Sequence, residues 1–203
     1  MRVAIVDYGM GNISSMVSAL RYIGVEDVIV SNKIEDFHEA DKLILPGVGN
    51  FATAAKKIAD LSLMPILHDQ VIVKKKPILG VCLGMQILGL SSTESGHNFG
   101  LGFINGTIDR FQGVDLKVPH VGCNQVLPNK GSRLYVGLSG EPDFYFTHSF
   151  KMTSNADIGQ STTKYGGDFI ASFEVDNIAG VQFHPELSQT NGLKLLKNFI
   201  EHF

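Results

Sequence analysis

A cysteine flanked by glycines is the residue of this chain best placed to do chemistry. Cys82 lies in the sequence G-V-C-L-G at residues 80–84, after the apolar run at residues 77–79 and before a helical pattern at residues 85–88. A strand, a tight turn with the nucleophile and a helix form a nucleophile elbow. The helix N-terminus would favour the thiolate form of the cysteine. The competing interpretation is a small cysteine buried in a strand, and these five residues alone leave both open.

A possible base for such a nucleophile lies a hundred residues further on. The apolar sequence G-V-Q-F at residues 180–183 ends on His184, followed by Pro185 and Glu186. Pro185 biases His184 towards extended backbone, and Glu186 could accept a hydrogen bond from one ring nitrogen. The alternative is a surface histidine and glutamate where a strand ends. Together with the cysteine elbow, the pattern favours a catalytic triad of Cys82, His184 and Glu186.

An oxyanion hole for acyl transfer needs two N–H donors. The N–H of Leu83, directly after the cysteine, is one candidate. The other lies in P-G-V-G at residues 46–49, near Val48 or Gly49, because glycines let the backbone approach a ligand. This loop follows a strand-like run, so it is expected at the carboxyl edge of the sheet, as is the elbow. A plain strand–helix turn is the alternative.

The remaining candidate motifs predict less chemistry. D-Y-G-M-G-N at residues 7–12 lacks the third glycine of a dinucleotide fingerprint, which favours a loop that contacts a partner. His120 and His148 lie in strand-like runs without a nearby acidic residue, as structural histidines often do. No His or Cys spacing matches a zinc site, so no metal is expected.

Two different halves of the chain must position these residues. Alternation of strands (residues 3–6, 28–30, 43–45 and 78–81) with helices (residues 12–23, 51–59 and 65–75) predicts a parallel sheet covered on both faces. A possible Asn12 cap begins the first helix. Closely spaced strands predicted at residues 103–111, 117–127, 144–152 and 169–173, with a hairpin at 175–178, favour antiparallel pairing. A last helix is predicted at residues 190–202. We expect one α/β domain, residues 1–203, with a mixed sheet.

Composition narrows the class of protein. The 203 residues are 44% hydrophobic and 18% charged, with a formal net charge of -3. That balance gives no case for binding nucleic acid or membrane surfaces. The two cysteines form no disulfide framework. The chain shows neither signal-peptide sections nor an apolar run of about 18 residues, so a cytoplasmic location is expected by elimination.

Several of these motifs together resemble a known family. G-V-C-L-G-M-Q at residues 80–86, P-G-V-G at 46–49 and Q-F-H-P-E at 182–186 are similar to class I, triad-type glutamine amidotransferases. D-Y-G-M-G-N-I at residues 7–13 and P-H-V-G-x-N at 119–124 are most similar to glutaminase subunits of imidazole glycerol phosphate synthases. The resemblance covers essentially the whole chain and implies a flavodoxin-like fold, and it requires no cofactor.

The resemblance also implies roles for individual residues. Cys82 would attack the side-chain amide of glutamine and form a thioester, His184 would transfer protons, and Glu186 would orient His184. The Val48 region matches the loop whose amide must turn inward to complete the oxyanion hole. Positions that match glutamine-binding segments are Gly49, Gln86, Thr147, His148 and Ser149.

The implied partner is a cyclase subunit with a (β/α)₈ barrel, which receives ammonia and makes imidazole glycerol phosphate and AICAR in histidine biosynthesis. The free glutaminase is expected to be nearly idle. Segments that match the partner face contain Gly11, Asn12, Pro119, His120, Cys123 and Asn124.

One residue departs from the family pattern P-H-x-G-W-N. Cys123 stands where tryptophan is expected, and the chain has no tryptophan. The departure concerns the partner face, so a paralogue that supplies ammonia for sugar modification in surface polysaccharide synthesis is an alternative. A non-catalytic interaction module is a second alternative, and a cysteine peptidase or esterase is a third.

Overall fold

The computed structural model describes residues 1–113 and 115–203. In chain order the strands are β1 (Arg2–Val6), β2 (Asp27–Ser31), β3 (Lys42–Leu45), β4 (Ile78–Val81), β5 (Ser91–Ser92), β6 (Asn98–Phe99), β7 (Thr107–Arg110), β8 (His120–Gln125), β9 (Asp143–His148), β10 (Phe150–Thr153), β11 (Ser161–Lys164), β12 (Asp168–Val175) and β13 (Ile178–Val181). The helices are α1 (Ile13–Tyr22), α2 (Ile34–Glu39), α3 (Phe51–Asp60), α4 (Leu63–His68), α5 (Leu83–Ile87) and α6 (Gln189–His202). A π-helical turn, Asp69–Val73, extends α4, and a 3₁₀ turn, Pro185–Leu187, precedes α6.

The largest sheet within the described residues has the strand order β11-β12-β13-β4-β3-β1-β2. From β13 to β2 the neighbours are parallel, and β11, β12 and β13 pair antiparallel. The predicted mixed α/β sheet is therefore confirmed. Because β4 lies between β3 and β13, the loops that follow these three strands meet at one edge of the sheet.

Alternating side chains of the sheet supply two hydrophobic cores. On β1, Val3 and Ile5 belong to one buried cluster, whereas Ala4 and Val6 belong to the other. Successive strand residues point to opposite faces, so both faces of the sheet are covered. The rigid sheet edge that results holds the functional loops.

Two smaller sheets flank the site edge. A four-stranded sheet has the order β10-β7-β5-β6, and β8 pairs antiparallel with β9. The predicted strand at residues 144–152 is in fact two strands. His148 pairs with His120 in one sheet, whereas Phe150 pairs with Arg110 in another, so the chain changes sheets at Ser149.

Three other predicted elements need correction. The strand predicted at residues 103–111 is confined to β7, because the N–H groups of Phe103 and Ile104 bond the carbonyl of Leu88 at the end of α5. The strand predicted at 117–127 is confined to β8. The helix predicted at 65–75 begins two residues earlier and ends in the π-helical turn.

The predicted Asn12 cap is wrong. The Asn12 side chain makes no capping hydrogen bond, and only its carbonyl accepts from Met16 N–H. Short elements were not predicted: α2 has six residues, β5 and β6 have two each, and β11 has four. A six-residue helix and two-residue strands carry too few residues to display a period, and β11, with the sequence S-T-T-K, has no apolar run to mark it.

Candidate active site

Cys82 lies at a sharp turn between β4 and α5. Its backbone angles are φ 53° and ψ −109°, a conformation that side chains rarely adopt and that is often kept at functional sites. A Cβ atom on Gly84 would lie 1.8 Å from the carbonyl oxygen of Leu45, and one on Gly80 would lie 2.8 Å from Met85 Cα. The flanking glycines are therefore required by close backbone packing around the nucleophile.

His184 and Glu186 form a buried pair just after β13. His184 Nδ1 lies 2.9 Å from Glu186 Oε1, and the two side chains are only 3% and 2% exposed. The His184 N–H donates to Tyr145 O at 2.9 Å, and the Ser188 hydroxyl donates to His184 O at 2.6 Å. These backbone contacts fix the ring, and the carboxylate fixes the proton on Nδ1.

The charged form of His184 is favoured despite burial. Burial opposes the imidazolium, but the nearby Cys82 and the hydrogen bond and charge of Glu186 outweigh it and raise the pKa of His184 from 6.5 to about 10. Among the described residues His184 Nε2 has no hydrogen-bond partner within normal geometry. The nitrogen that would exchange a proton with Cys82 is thus free to do so.

The loop at residues 46–49 packs directly on the elbow. The Leu83 N–H donates to Gly47 O at 3.3 Å, so a carbonyl occupies the position expected for an oxyanion. Tyr8 O–H donates to Pro46 O at 2.7 Å and holds the loop; burial and then the charge of Cys82 raise the pKa of Tyr8. Sequence reasoning missed this role of Tyr8.

A cavity of about 290 Å³ opens in front of Cys82. Residues from the elbow, the 46–49 loop and the β9–β10 junction share it: Val48, Gly49, Cys82, Leu83, Gln86, Glu94, Pro119, Thr147, His148, Ser149 and Phe150. The structure therefore brings the predicted oxyanion and glutamine-binding residues together at one opening. His184 and Glu186 are not in this lining. Cys82 acts on the charge of His184, and Glu186 bonds the His184 ring at Nδ1.

Glu94 and Phe150 were missed by sequence reasoning. Glu94 lies in the polar turn after β5, and its Oε2 accepts from the Phe51 N–H at 2.7 Å. No spacing in the sequence relates Glu94 to Cys82. Phe150 follows Ser149 in the same segment, and its carbonyl accepts from Gln86 Nε2 at 3.0 Å.

His120 and His148 form a second, neutral pair beneath the cavity. His120 Nδ1 lies 3.0 Å from His148 Nε2, and His148 Nδ1 donates to Phe150 O at 2.8 Å. Burial lowers the pKa of His148 from 6.5 to about 3 and also lowers that of His120. Both therefore hold the β8–β9 hairpin as uncharged hydrogen-bonding groups.

The residues predicted for a partner face differ in exposure. Pro119 and Cys123 are exposed, and Gly11, Asn12 and Asn124 are half-buried. His120 is buried and contacts Asn124 Oδ1 at 2.9 Å, so it positions this segment from below. Val48, exposed at the cavity lining, lies on the same loop as the oxyanion candidates.

These groups can perform acyl transfer. A cysteine beside an oriented histidine supplies nucleophile and acid–base catalyst, and the Leu83 N–H is a candidate donor for an oxyanion if the Gly47 carbonyl moves away from it. Within the described residues no cluster of His, Cys, Asp or Glu could hold a metal ion. No helix in the described part of the chain combines the length and apolar character of a membrane span.

Comparison with known proteins defines the class. The family model "Glutamine amidotransferase class-I" matches residues 4–203. The chain therefore belongs to the class-I glutamine amidotransferase family.

Particular relatives share one name. The chain is 44% identical to "Imidazole glycerol phosphate synthase subunit HisH 1" of Campylobacter jejuni, over 98% of each chain. It is 43% identical to "Imidazole glycerol phosphate synthase subunit HisH" of Aquifex aeolicus, over 98% of this chain and 96% of that one.

Solved structures support the fold. A structure described as "Crystal structure of glutamine amidotransferase" matches with a TM-score of 0.78 at 19% identity, covering 99% of this chain and 98% of that one. The glutaminase domain of Trypanosoma brucei CTPS with bound acivicin matches with a TM-score of 0.68 at 14% identity, covering 99% and 94%.

Proposed function

We propose that this chain is the glutaminase subunit of an imidazole glycerol phosphate synthase. It hydrolyses glutamine to glutamate and ammonia, and the ammonia serves a cyclase subunit in histidine biosynthesis. The observation that carries the proposal is the strained Cys82 turn beside the buried His184–Glu186 pair. The names of relatives that are 41–44% identical over nearly the whole chain support the pathway.

The chemistry starts from a Cys82 thiolate beside protonated His184, the charge pair that the raised pKa of His184 favours. The thiolate attacks the side-chain amide carbon of glutamine, and the C=O electron pair moves to oxygen. When the tetrahedral intermediate collapses, the C–N bond breaks and His184 Nε2 gives its proton to the leaving nitrogen, which departs as ammonia. A thioester remains. His184 then takes a proton from water, hydroxide attacks the thioester, and glutamate leaves as the Cys82 sulfur is released.

The oxyanion of both intermediates needs a donor pair that this geometry does not yet present. The Leu83 N–H is engaged by Gly47 O at 3.3 Å. Rotation of the Gly47–Val48 peptide would remove that carbonyl and turn the Val48 N–H inward. Gly49, at φ +106°, supplies a backbone conformation next to this peptide that other residues rarely adopt. The idle state expected for the free subunit follows from the blocked Leu83 N–H.

The cavity fits the amino-acid end of glutamine. Gly49, Gln86, Thr147, His148 and Ser149 line it. Glu94 supplies the carboxylate of that lining, and we infer that its oxygen not bonded to the Phe51 N–H pairs with the α-ammonium of the substrate. No cofactor is required for this reaction, because each step uses only proton transfer and a thioester.

The partner is proposed to be a cyclase with a (β/α)₈ barrel. It would cover the cavity mouth, where Pro119 and Val48 line the opening. The contact face would include Gly11, Asn12, Pro119, Cys123 and Asn124, with His120 supporting it from below. A single domain over residues 1–203 and a cytoplasmic location complete the proposal.

Assays of the complex with a histidine-pathway cyclase test the proposal. Cys82→Ala should abolish glutamine-dependent synthesis of imidazole glycerol phosphate but spare synthesis from added ammonium chloride. Loss of both would contradict the division of labour. Failure of the chain to bind the cyclase in a pull-down would redirect the ammonia to another acceptor, such as a sugar-modifying synthetase.

A further inference from the structure

A row of two buried side-chain amides ends on the nucleophile. Gln86 Nε2 donates to Gln182 Oε1 at 2.9 Å, and Gln182 Nε2 donates to Cys82 Sγ at 3.6 Å. Gln182 is completely buried, and Gln86 is 4% exposed. Because a buried amide is costly without partners, this row is a built feature of the site.

The direction of the row follows from its outer end. Gln86 Nε2 also donates to the carbonyl oxygen of Phe150 at 3.0 Å. That carbonyl can only accept, so Gln86 must present its NH₂ group there. The same NH₂ group then faces Gln182, which must present Oε1 in return. The remaining group of Gln182, its NH₂, is therefore the one that faces Cys82.

An N–H donor favours the ionised form of the sulfur, because a hydrogen bond to the charged form stabilises it. Sγ also lies 4.0 Å from the carbonyl oxygen of Thr147, which can accept a hydrogen bond from the thiol but cannot stabilise a thiolate. The positive charge of His184 interacts with Cys82 as well and favours the thiolate independently of Gln182. Within the described hydrogen bonds, Gln182 is the side chain that donates to Sγ.

We propose that Gln182 is a catalytic residue that stabilises the Cys82 thiolate through its Nε2–H group and, through Oε1, holds the Gln86 side chain at the glutamine cavity. No proton leaves Gln182 in this role. The inference rests on the proposed function, since it assumes that Cys82 is the nucleophile.

The pH profile of Cys82 alkylation tests this role. The full-length chain is treated with iodoacetamide across pH 5–10, and peptide-resolved mass spectrometry separates Cys82 from the exposed Cys123. Gln182→Met, which lacks the donor but has similar length, should move the midpoint for Cys82 upward by about one pH unit and slow alkylation at low pH about tenfold. It should also raise KM for glutamine in the cyclase complex, because Gln86 loses its support.

Gln70→Met is the matched control. Gln70 is also completely buried, and its Nε2 donates to Asp69 at 2.8 Å, away from Cys82. This variant should leave the alkylation midpoint unchanged, whatever its effect on stability. If Gln182→Met does not fold, Gln182→Asn replaces it, since it keeps an amide but withdraws the donor by one methylene.

The possible outcomes distinguish failure of the proposed role of Gln182 from failure of the proposed glutaminase function. An unchanged midpoint in a folded Gln182 variant, with Cys82 of the parent still reactive and protected by glutamine, overturns only the role of Gln182. A parent chain whose Cys82 is neither reactive nor protected by glutamine overturns the proposed function itself. An upward shift confined to the Gln182 variant supports the inference.

Discussion

Replacement of Glu186 by glutamine should show how much the buried Glu186 charge contributes to the pKa of His184, the proposed base. The new side chain would have nearly the same shape as that of Glu186, and its amide carbonyl could still accept from His184 Nδ1 at the 2.9 Å separation. What disappears is the negative charge beside a ring that is 3% exposed. Since Glu186 is one of the two groups that raise the pKa of His184 to about 10, that pKa should fall.

The fall in the pKa of His184 and the loss in kcat follow from the weakened hydrogen bond between His184 and residue 186. A hydrogen bond to a charged partner contributes about 1.5–3 kcal/mol, against about 0.5–1.5 kcal/mol for a neutral one. The difference of roughly 1–2 kcal/mol corresponds to about one pKa unit and about a tenfold loss in kcat. Removal of one member of a buried ion pair costs up to about 3–5 kcal/mol, so the upper bound is a loss of about a hundredfold to about five-thousandfold.

The contribution of the His184–Glu186 pair to stability should decrease as pH rises. The raised pKa means that the folded state binds a proton more tightly than the unfolded state, so the pair stabilises the fold fully below pH 6.5. That contribution disappears as pH rises through about 10. The stability gap between the wild type and Glu186→Gln should therefore narrow between pH 6.5 and 10, as measured by urea unfolding.

NMR titration of the His184 ring measures the pKa directly, with the resonance assigned by its loss in His184→Asn. Glu174→Gln is the control, because the Glu174 side chain is 10% exposed and accepts from the Arg133 and Leu134 N–H groups. The control should lower stability and leave the His184 titration unchanged. An unchanged His184 midpoint in Glu186→Gln would refute the argument that this carboxylate stabilises the imidazolium.

Further predictions concern the free energy of unfolding and are each measured by urea unfolding. Gly84→Ala should lower it by more than about 3 kcal/mol, because the new Cβ would overlap the backbone oxygen of Leu45 at 1.8 Å. Its control, Gly131→Ala, lies at φ +84° with open space around it and should lower it by about 1 kcal/mol. Cys82→Gly should be about 1 kcal/mol more stable than Cys82→Ala, since φ 53° strains any side chain; the reverse order would show that the turn is unstrained. Burial lowers the pKa of His148 to about 3, so the unfolded state takes up a proton first and stability falls as pH drops below 6.5. His148→Phe should remove about 1.4 kcal/mol of that loss at pH 5.5. If the free energy of unfolding of the variant and of the wild type fell equally with pH, the prediction would be contradicted.

The sequence predicted the strands that are buried along their whole length. Runs such as residues 43–45 and 78–81 are buried on both faces of a parallel sheet, which makes them continuous and easy to recognise. The turn at Cys82 was marked by Gly80 and Gly84, where close packing leaves no choice of residue, but it needed the 182–186 and 46–49 motifs to be distinguished from a buried cysteine.

Side-chain contacts between distant segments were not predictable in the same way. Glu94 and Tyr8 reach the site because β5 and β1 end near it, and neither residue stands in a motif with Cys82. Likewise, residues 103–104 have strand-like composition, yet their N–H groups bond the end of α5. In each case tertiary contacts decide, and local propensity is a weak guide to them.

The orientation of the Gly47–Val48 peptide is the feature that residue types constrain least. Rotating one peptide exchanges a carbonyl for an N–H without moving any apolar side chain out of the core, so hydrophobic burial favours neither state. The Leu83 N–H bond to Gly47 O is one neutral hydrogen bond, which contributes about 0.5–1.5 kcal/mol. A partner that contacts the exposed Val48 side chain therefore needs only a differential affinity of similar size to populate the inward orientation. Under the proposed function, the chain can thus hold the proposed triad assembled and still leave glutamine hydrolysis dependent on what binds at the cavity mouth.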